Sequence, residues 1–525
     1  MKVTGDMLIG AANVPAGAET MKALNPTTGQ LIEPPFALGG APEADRAVRL
    51  ADEAFDSYSH TGPAERAAFL DLIADKLAAV RGELAERAWL ETGLPVAQFE
   101  AEVDRSADVF RKFATVVRQG RFLQAVIDRA QPDRQPAPRM DHRLQKVALG
   151  PVVIFGASNF PISYSVAGGD TASALAAGCP VISKAHNAHP GTSEIQGRVI
   201  QQAIAEAGLH EGVFSLVRGP GNEIGEALVD HPLVRAVTFT GSEGGGMALY
   251  RRAQQRPDPI PVFTEMTSVN PNFVLPAALA ARGAEIGSGL AQRAMYNVGQ
   301  ACLKPAVLLA VDGPGFRETR EAAAAEVQEA AARTMLTPGI HDAYVRGVQR
   351  REKDGAVLVG AGAAPARAGE GQSLLYEVTG AELLAEPALR EEIFGPTVLL
   401  VRLADTDQLF EAARAFRGQL SAAMHAEAAD HGIAGRLLPI LERRTGRVVF
   451  NAFSISQEIT YATTHGGPFP ATSDSRFTSV GMGAIERFLR PVTYQNFPDE
   501  LLPPPLRGAN PLHLWRLVDG ELTRP

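Results

Sequence analysis

The chain has 525 residues, enough for roughly three or four domains and too many for one hydrophobic core. Its composition, 45% hydrophobic and 21% charged, is that of a folded globular protein and excludes a largely disordered one. Fifty-nine acids against 50 bases leave a net charge of −9, which argues against nucleic acid or an anionic membrane as partner; two cysteines exclude a disulfide framework.

Residues 1–20 lack a basic start followed by an apolar stretch, and no run of about 18 apolar residues occurs. The sequence thus predicts neither a signal peptide nor a membrane span, and its free thiols suit a reducing, cytoplasmic location. Residues 42–122 carry apolar positions three and four apart, as in Ala64, Ala68, Phe69, Leu72 and Ile73, which predicts helices. Residues 128–143 are rich in Pro, Arg and Asp and read as a connector or extended arm.

From Gly150 short apolar runs alternate with helical stretches. Strands are predicted at 151–155, 181–183, 213–217 and 236–240, with helices at 166–177, 193–207, 223–229 and from 241 through 250. Gly178 and Gly208 are placed to end two of the helices. Repeated strand–helix–strand units of this length predict an α/β fold built on a doubly wound parallel sheet, with ligands at the carboxyl ends of its strands. A second α/β segment runs from about 272 to 446, with helices at 282–296 and 316–334. The part from His465 is rich in Gly, Pro, Ser and Thr, and no repeat at solenoid periods occurs.

Two glycine-rich segments could meet a nucleotide. Gly219-Pro-Gly221-Asn-Glu-Ile-Gly225 is one residue too long for the dinucleotide fingerprint, and Pro220 removes a backbone donor. Gly241-Ser242-Glu243-Gly244-Gly245-Gly246 is the better candidate: it follows a strand, opens a helix, and offers N–H groups and the Ser242 hydroxyl to a pyrophosphate. Three glycines in a first helical turn cost helix propensity, so a local requirement is expected there. A lone cysteine is most often a small core hydrophobe, which is the reading for Cys179. Cys302, in Asn297-Val-Gly-Gln300-Ala-Cys302, follows a helix and a Gly-Gln turn in polar sequence, which suits a reactive thiol. His186 and His189 flank one turn without a supporting Cys or acid constellation, so no metal is expected.

Several separate segments, in order and spacing, resemble the aldehyde dehydrogenase superfamily from about Asn25 to Pro498. They are Asn25-Pro-Thr-Thr-Gly29, Gly156-Ala-Ser-Asn159-Phe-Pro161, Lys184 after Val181-Ile-Ser183, Phe239-Thr-Gly-Ser242, Thr264-Glu265, Gly299-Gln-Ala-Cys302 and Glu391-Glu392-Ile-Phe394-Gly-Pro396. The stretches 168–180 and 184–191 are similar to the branch of α-ketoglutarate semialdehyde and NADP-dependent fatty aldehyde dehydrogenases. Two departures stand out. Met266-Thr-Ser-Val follows Glu265 where the family usually has a glycine two or three residues on. His465-Gly-Gly-Pro-Phe-Pro-Ala-Thr472 replaces the usual Pro-Phe-Gly-Gly-x-Lys-x-Ser-Gly, and Gly481-Met-Gly483-Ala-Ile-Glu486-Arg-Phe488 resumes the general pattern.

The resemblance implies a Rossmann-type cofactor domain (1–127 and 149–264), an α/β catalytic domain (265–469), a small β oligomerisation arm (128–148 and 470–500) and a C-terminal extension (501–525). It implies Cys302 as nucleophile, Glu265 as general base, and Asn159 with the Cys302 backbone N–H as oxyanion donors. It places Lys184 on the adenosine ribose and Glu392 on the nicotinamide ribose beside Phe394, while Gly241, Ser242 and Gly246 are the candidates for the pyrophosphate from the helix-opening segment itself. Asn187 stands where NAD-preferring relatives carry a glutamate, and Arg218 at the end of the next strand could add a phosphate partner; NADP is therefore expected, with NAD accepted. The expected reaction is oxidation of an aldehyde to an acid, with 2,5-dioxopentanoate the best substrate guess and a broad or fatty aldehyde the alternative. A coenzyme-A-acylating relative and a non-catalytic binding protein on the same fold are further readings. An acidic substrate needs a tunnel arginine, and the sequence does not place Arg293, Arg476 or Arg487 there. A homodimer or homotetramer is expected through the arm.

Overall fold

Five short aliphatic runs, buried on both faces, form the parallel part of a seven-stranded sheet. The computed structural model describes residues 1–17, 19–220, 222–455 and 457–524. In space the sheet runs Val262–Glu265, Ala236–Thr240, Val152–Phe155, Val181–Lys184 and Phe214–Val217, and then an antiparallel hairpin, Met7–Ile9 and Ala12–Val14. Successive strands are added first on one side of Val152–Phe155 and then on the other. The winding therefore reverses there and opens a crevice at the carboxyl ends. Register aligns those ends: Phe155 lies beside Lys184 and Phe239, and Thr240 beside Glu265.

A second seven-stranded sheet carries Asn272–Val274 near its centre, between Val307–Val311 and Gln419–His425. It is parallel throughout except for the edge strand Val357–Ala361. A five-stranded sheet pairs Leu489–Gln495 with His142–Ala148, then Val126–Asp128, and then two strands near the end of the sequence, Arg516–Val518 and Glu521–Thr523. Between the paired strands Val126–Asp128 and His142–Ala148, residues 129–141 form a largely exposed excursion closed by a Gln131–Arg139 bridge, and residues 516–523 contribute two strands to the same sheet. Among the described residues no helix is long and apolar enough to cross a membrane.

The mixed α/β architecture with parallel sheets matches the sequence reading, and the differences lie at element ends. The region 42–122 is four helices, Ala41–Ser59, Pro63–Ala79, Arg81–Thr92 and Val96–Gln119. The helix expected at 166 begins at Gly169, because Ile162 and Ser163 donate instead to the Glu102 carboxylate and hold the chain in a turn. The Ala-rich run to 334 stops being helical at Gln328: Ala363 donates to the Ala330 carbonyl (2.9 Å) and draws the chain toward the short strand Arg333–Thr334. The helix expected at 282 begins at Pro276 and kinks at Arg282, whose guanidinium reaches Glu427 at 2.7 Å.

One buried carboxylate fixes the helix that follows the Lys184 turn. Glu91 accepts from the Gly191 N–H (2.8 Å), the Thr192 N–H (2.8 Å) and the Thr192 hydroxyl (2.7 Å), at the N-terminus of Pro190–Glu206. These are backbone donors that the helix itself cannot satisfy, and the carboxylate complements the positive end of the helix dipole. Glu91→Ala should strand these donors and the partly buried Arg87, lowering stability by about 2–4 kcal/mol. Denaturant unfolding of the two proteins checks this.

Candidate active site

The cysteine loop is built on a strained turn. Asn297, Val298 and Gly299 all have positive φ (54°, 56° and 66°), which is costly for a β-branched valine. Gly299 permits the close approach that makes the turn possible: a Cβ there would lie 2.1 Å from the Gly395 carbonyl oxygen. Gln300 braces the turn through its Nε2 on the Asn297 carbonyl (3.1 Å) and its Oε1 on the Leu336 N–H (3.0 Å). On the far side, Asn270 Nδ2 donates to the Cys302 (2.8 Å) and Lys304 (2.9 Å) carbonyls. Cys302 is half-buried and faces a cavity of about 1050 Å³.

Glu265 ends its strand almost fully enclosed. His465 Nε2 lies 2.7 Å from its Oε1, and the Ser479 hydroxyl donates to Oε2 at 2.8 Å. The same His465 nitrogen is 3.6 Å from Cys302 Sγ. Burial pushes the Glu265 carboxyl up, but the charge and hydrogen bond of His465, with Ser479 and Cys302, outweigh it and hold it below its ordinary value. Burial and the Glu265 carboxylate together push the Cys302 thiol well above the usual range. The resting pair is therefore a carboxylate beside a neutral thiol, poised to pass one proton.

Sequence reasoning quoted His465 only as the start of a segment that departs from the family pattern. That departure was the available signal. Residues 471–473 lie along the Glu265 strand, with the Met266 N–H on the Ala471 carbonyl (2.8 Å) and the Thr264 N–H on Ser473 Oγ (3.0 Å). This contact carries His465 to the carboxylate across 200 residues of sequence.

Asn159 is buried, and its Nδ2 donates to the Gln300 carbonyl at 3.0 Å, beside the cysteine loop. Asn297 Nδ2 shares that carbonyl, also at 3.0 Å. Cys179, the other thiol, is fully buried and pushed up to about 11 by burial, which makes it inert at neutral pH.

Along the sheet's carboxyl ends, Lys184 is half-buried, with Asn187 Oδ1 3.5 Å from its Nζ. Burial and the nearby Arg218 charge bring the amine down to about 8. Gly241 and Ser242 are exposed, and Ser242 caps the helix Glu243–Gln254 by accepting from the Gly245 N–H at 3.2 Å. The glycines there answer a packing requirement: a Cβ on Gly245 would be 3.0 Å from the Phe239 ring, and one on Gly246 would be 2.8 Å from Met266 Sδ. Glu392 accepts from the Thr267 hydroxyl at 2.7 Å; its neighbour Phe394 is half-buried. Lys304 Nζ donates to the Ile393 (2.5 Å) and Gly395 (2.7 Å) carbonyls and so fixes the loop bearing both.

Arg218 corrects the expectation of a second phosphate partner. Its side chain is wholly enclosed, stacks 4.8 Å from the Phe36 ring centroid, and directs NH1 toward the Gly5 and Ala37 carbonyls and NH2 toward that of Pro190. It joins the N-terminal segment to the sheet and presents nothing to the crevice. Gly219 is likewise structural, since a Cβ there would meet Ile224 at 2.5 Å and the Gly39 carbonyl at 2.6 Å. Gly221 of that segment lies outside the described residues.

The cavity beyond Cys302 is lined in part by Arg105, Arg293 and Arg333, and by Tyr164, Gln457 and Glu102. Of the three arginines that the sequence left unplaced, only Arg293 lines it; Arg487 pairs with Asp170 (2.6 Å) and Arg476 with Asp474 (2.5 Å). Arg105 reaches Gln457 O and Tyr164 Oη only at 3.3 and 3.4 Å, leaving donors to spare.

The switch-point crevice, with Lys184 and a glycine-opened helix along it, lies next to the cluster of half-buried Cys302 with buried Glu265 and His465. The family model described as "Aldehyde dehydrogenase family" matches residues 14–468, and the chain belongs to that family. It is an oxidoreductase that oxidises an aldehyde with NAD(P). It is 52% identical over 523 residues to alpha-ketoglutaric semialdehyde dehydrogenase 2 of Azospirillum brasilense, covering 99% of this chain and 100% of that one. It is 42% identical over 522 residues to alpha-ketoglutaric semialdehyde dehydrogenase of Acinetobacter baylyi, covering 99% of each. In fold it matches the betaine aldehyde dehydrogenase of Staphylococcus aureus solved with NAD+, at TM-score 0.81 and 21% identity over 95% of this chain and 98% of that one.

Two predictions follow from the geometry. Gly299→Ala should keep its circular dichroism spectrum but lose at least tenfold in kcat/KM, because the Cβ clash must displace the cysteine loop. Glu102 accepts three hydrogen bonds on Oε1 from Ile162 and Ser163, and burial lifts it to about 7. Folded Glu102 holds its proton more tightly than unfolded Glu102, so its contribution to stability is full below about pH 4.5 and is lost as pH rises through about 7. Glu102→Gln keeps the acceptor and removes the titration. It should shrink the stability loss between pH 5 and pH 8 by on the order of 1–3 kcal/mol, read by chemical denaturation.

Proposed function

We propose that the protein oxidises 2,5-dioxopentanoate to 2-oxoglutarate. The observation that carries this reading is half-buried Arg105, which with the more exposed Arg293 lines the cavity that opens on Cys302. A guanidinium with free donors at this depth suits a carboxylate at the far end of a short aldehyde. Two relatives alike over their whole length bear the name alpha-ketoglutaric semialdehyde dehydrogenase, which supports the same substrate.

In this mechanism Cys302 Sγ adds to the aldehyde carbon while its proton passes to the Glu265–His465 pair. The second N–H of Asn159 and the Cys302 backbone N–H hold the developing oxyanion, a donor of this kind being worth about 2.7–4 kcal/mol. Lys184, Glu392 and Phe394 would hold the nicotinamide cofactor, which would supply the hydride acceptor. A thioester remains on Cys302. After the thiol's proton has left the pair for solvent, Glu265, fixed by Ser479 and His465, takes a proton from the water that cleaves the thioester, and Cys302 departs as the thiolate.

A nicotinamide dinucleotide suits this crevice: Lys184, half-buried at the carboxyl end of its strand, has no carboxylate partner among the described residues and so has a charge to offer an anion. We assign Lys184 and Asn187 to the adenosine ribose, Gly241, Ser242 and Gly246 to the pyrophosphate, and Glu392 with Phe394 to the nicotinamide ribose. With neutral Asn187 beside Lys184 nothing repels a 2′-phosphate, which favours NADP with NAD accepted. Leu489–Gln495 sits at the rim of its sheet, so its outer edge is open to a strand of a second copy, which favours a homodimer or a tetramer of two dimers. Cys302 and Cys179 as free thiols suit the cytoplasm.

The test is nicotinamide reduction over acidic and straight-chain aldehydes with each cofactor. Cys302→Ala should abolish turnover. Arg105→Met should raise KM for 2,5-dioxopentanoate at least tenfold and act far less on an uncharged aldehyde. A native enzyme that turns over medium-chain aldehydes but not 2,5-dioxopentanoate overturns the substrate reading. A tenfold preference for NAD overturns the NADP reading.

A further inference from the structure

Glu265, Cys302 and His465 each present one ligand atom, and the three atoms all lie within 4.8 Å of one another. They come from separate segments, so no spacing motif in the sequence announces them. We propose that this cluster is a binding site for a thiophilic divalent cation of the Zn2+ class, whose occupation reversibly arrests the enzyme.

The donor set is one sulfur, one imidazole nitrogen and one carboxylate oxygen. That is the ligand chemistry of Zn2+ and its soft neighbours; Mg2+ and Ca2+ prefer all-oxygen sites. Bond lengths of about 2.3 Å to sulfur and 2.05 Å to nitrogen put the two ligand atoms of a tetrahedral site about 3.6 Å apart. The Cys302 Sγ–His465 Nε2 separation is 3.6 Å already. The 2.7 Å contact between His465 Nε2 and Glu265 Oε1 must open to about 3.4 Å to admit the ion between them. The Ser479 hydroxyl on Oε2 holds the carboxylate from outside, as second-shell donors do in metal sites. Of the three ligands Cys302 lines the large cavity, which gives the ion a route in from that side.

Binding releases the thiol proton to solvent and leaves the imidazole neutral, coordinating through Nε2. No oxidation or group transfer is involved. The ion occupies the nucleophile and the base together, so neither addition nor thioester hydrolysis can proceed while it is bound. The same coordination shields the thiol from alkylation. The inference rests on the geometry of the cluster and not on the identity of the aldehyde.

The experiment uses chelator-treated holoprotein and reads binding separately from activity. Equilibrium dialysis against Zn2+ should give one ion per chain, with inhibition reversed by EDTA and iodoacetamide labelling of Cys302 suppressed while Zn2+ is present. Co2+ in its place should give a thiolate-to-cobalt charge-transfer band in the near ultraviolet, lost in Cys302→Ser. His465→Gln and Glu265→Gln should each weaken Zn2+ binding more than tenfold; should one variant fail to fold, the other carries the test. Absence of stoichiometric binding overturns the proposal, as does binding that persists in Cys302→Ser. Binding unchanged in the foldable ligand variant, which would mean thiol capture alone, also overturns it. Failure of the substrate assay alone leaves these readouts untouched, so the two readings fall separately.

Discussion

Two loops meet where Gly299 lies against the Gly395 carbonyl, and the arrangement of the active centre depends on that contact. It forces the left-handed run Asn297–Gly299, and the turn then delivers Cys302 to the cavity wall. Lys304, two residues on, donates to the carbonyls on either side of Phe394. Its amine is pushed down to about 7 chiefly by burial, an effect that the charge of Glu392 opposes. The Cys302 loop and the loop bearing Glu392 and Phe394 are therefore tied together, and a shift of one is passed to the other. Strain of a few kcal/mol at Asn297 and Val298 persists because packing on both sides over-determines it.

Much of this was legible in the sequence because the chemistry was local. The strand–helix alternation from 150 to 265 set the parallel sheet, and the strand at 236–240 matched residue for residue. Cys302, Glu265 and Asn159 stood in recognisable segments, and the structure brings their loops together. What the sequence could not show was contact across long separations. His465 reaches Glu265 only because residues 471–473 lie along a strand edge, and the periodicity of neither segment encodes that meeting. Arg218 failed for the same reason. A cation at a strand end looks available until the N-terminal segment, more than 180 residues away, is seen to enclose it.

Burial and charge together explain why the site carries so many titratable groups. Glu265, Lys304 and Glu102 are buried and Cys302 and Glu392 half-buried, and each is held by directed hydrogen bonds or close polar contacts. In such surroundings a proton transfer or a developing oxyanion responds to fixed dipoles far more strongly than it would in water. The glycines at 245 and 246 serve the same end by letting Phe239 and Met266 close over the sheet beside Glu265.

The pairing of Leu517 and Val518 with Val126 and Ile127 has a consequence for biosynthesis. Asp519 also accepts from the Arg129 backbone across 390 residues. During translation Val126–Asp128 can pair early with His142–Ala148 on one side, but its other edge leaves the ribosome long before Arg516–Val518 exists, and a waiting strand edge is a site for wrong pairing. The two cofactor-side strands that flank the switch point are complete by residue 240. This sheet closes only when the chain has been made past residue 518. The arm is therefore the last part of the molecule to become native, and a nascent chain stalled short of that point exposes the edge on which self-association would begin.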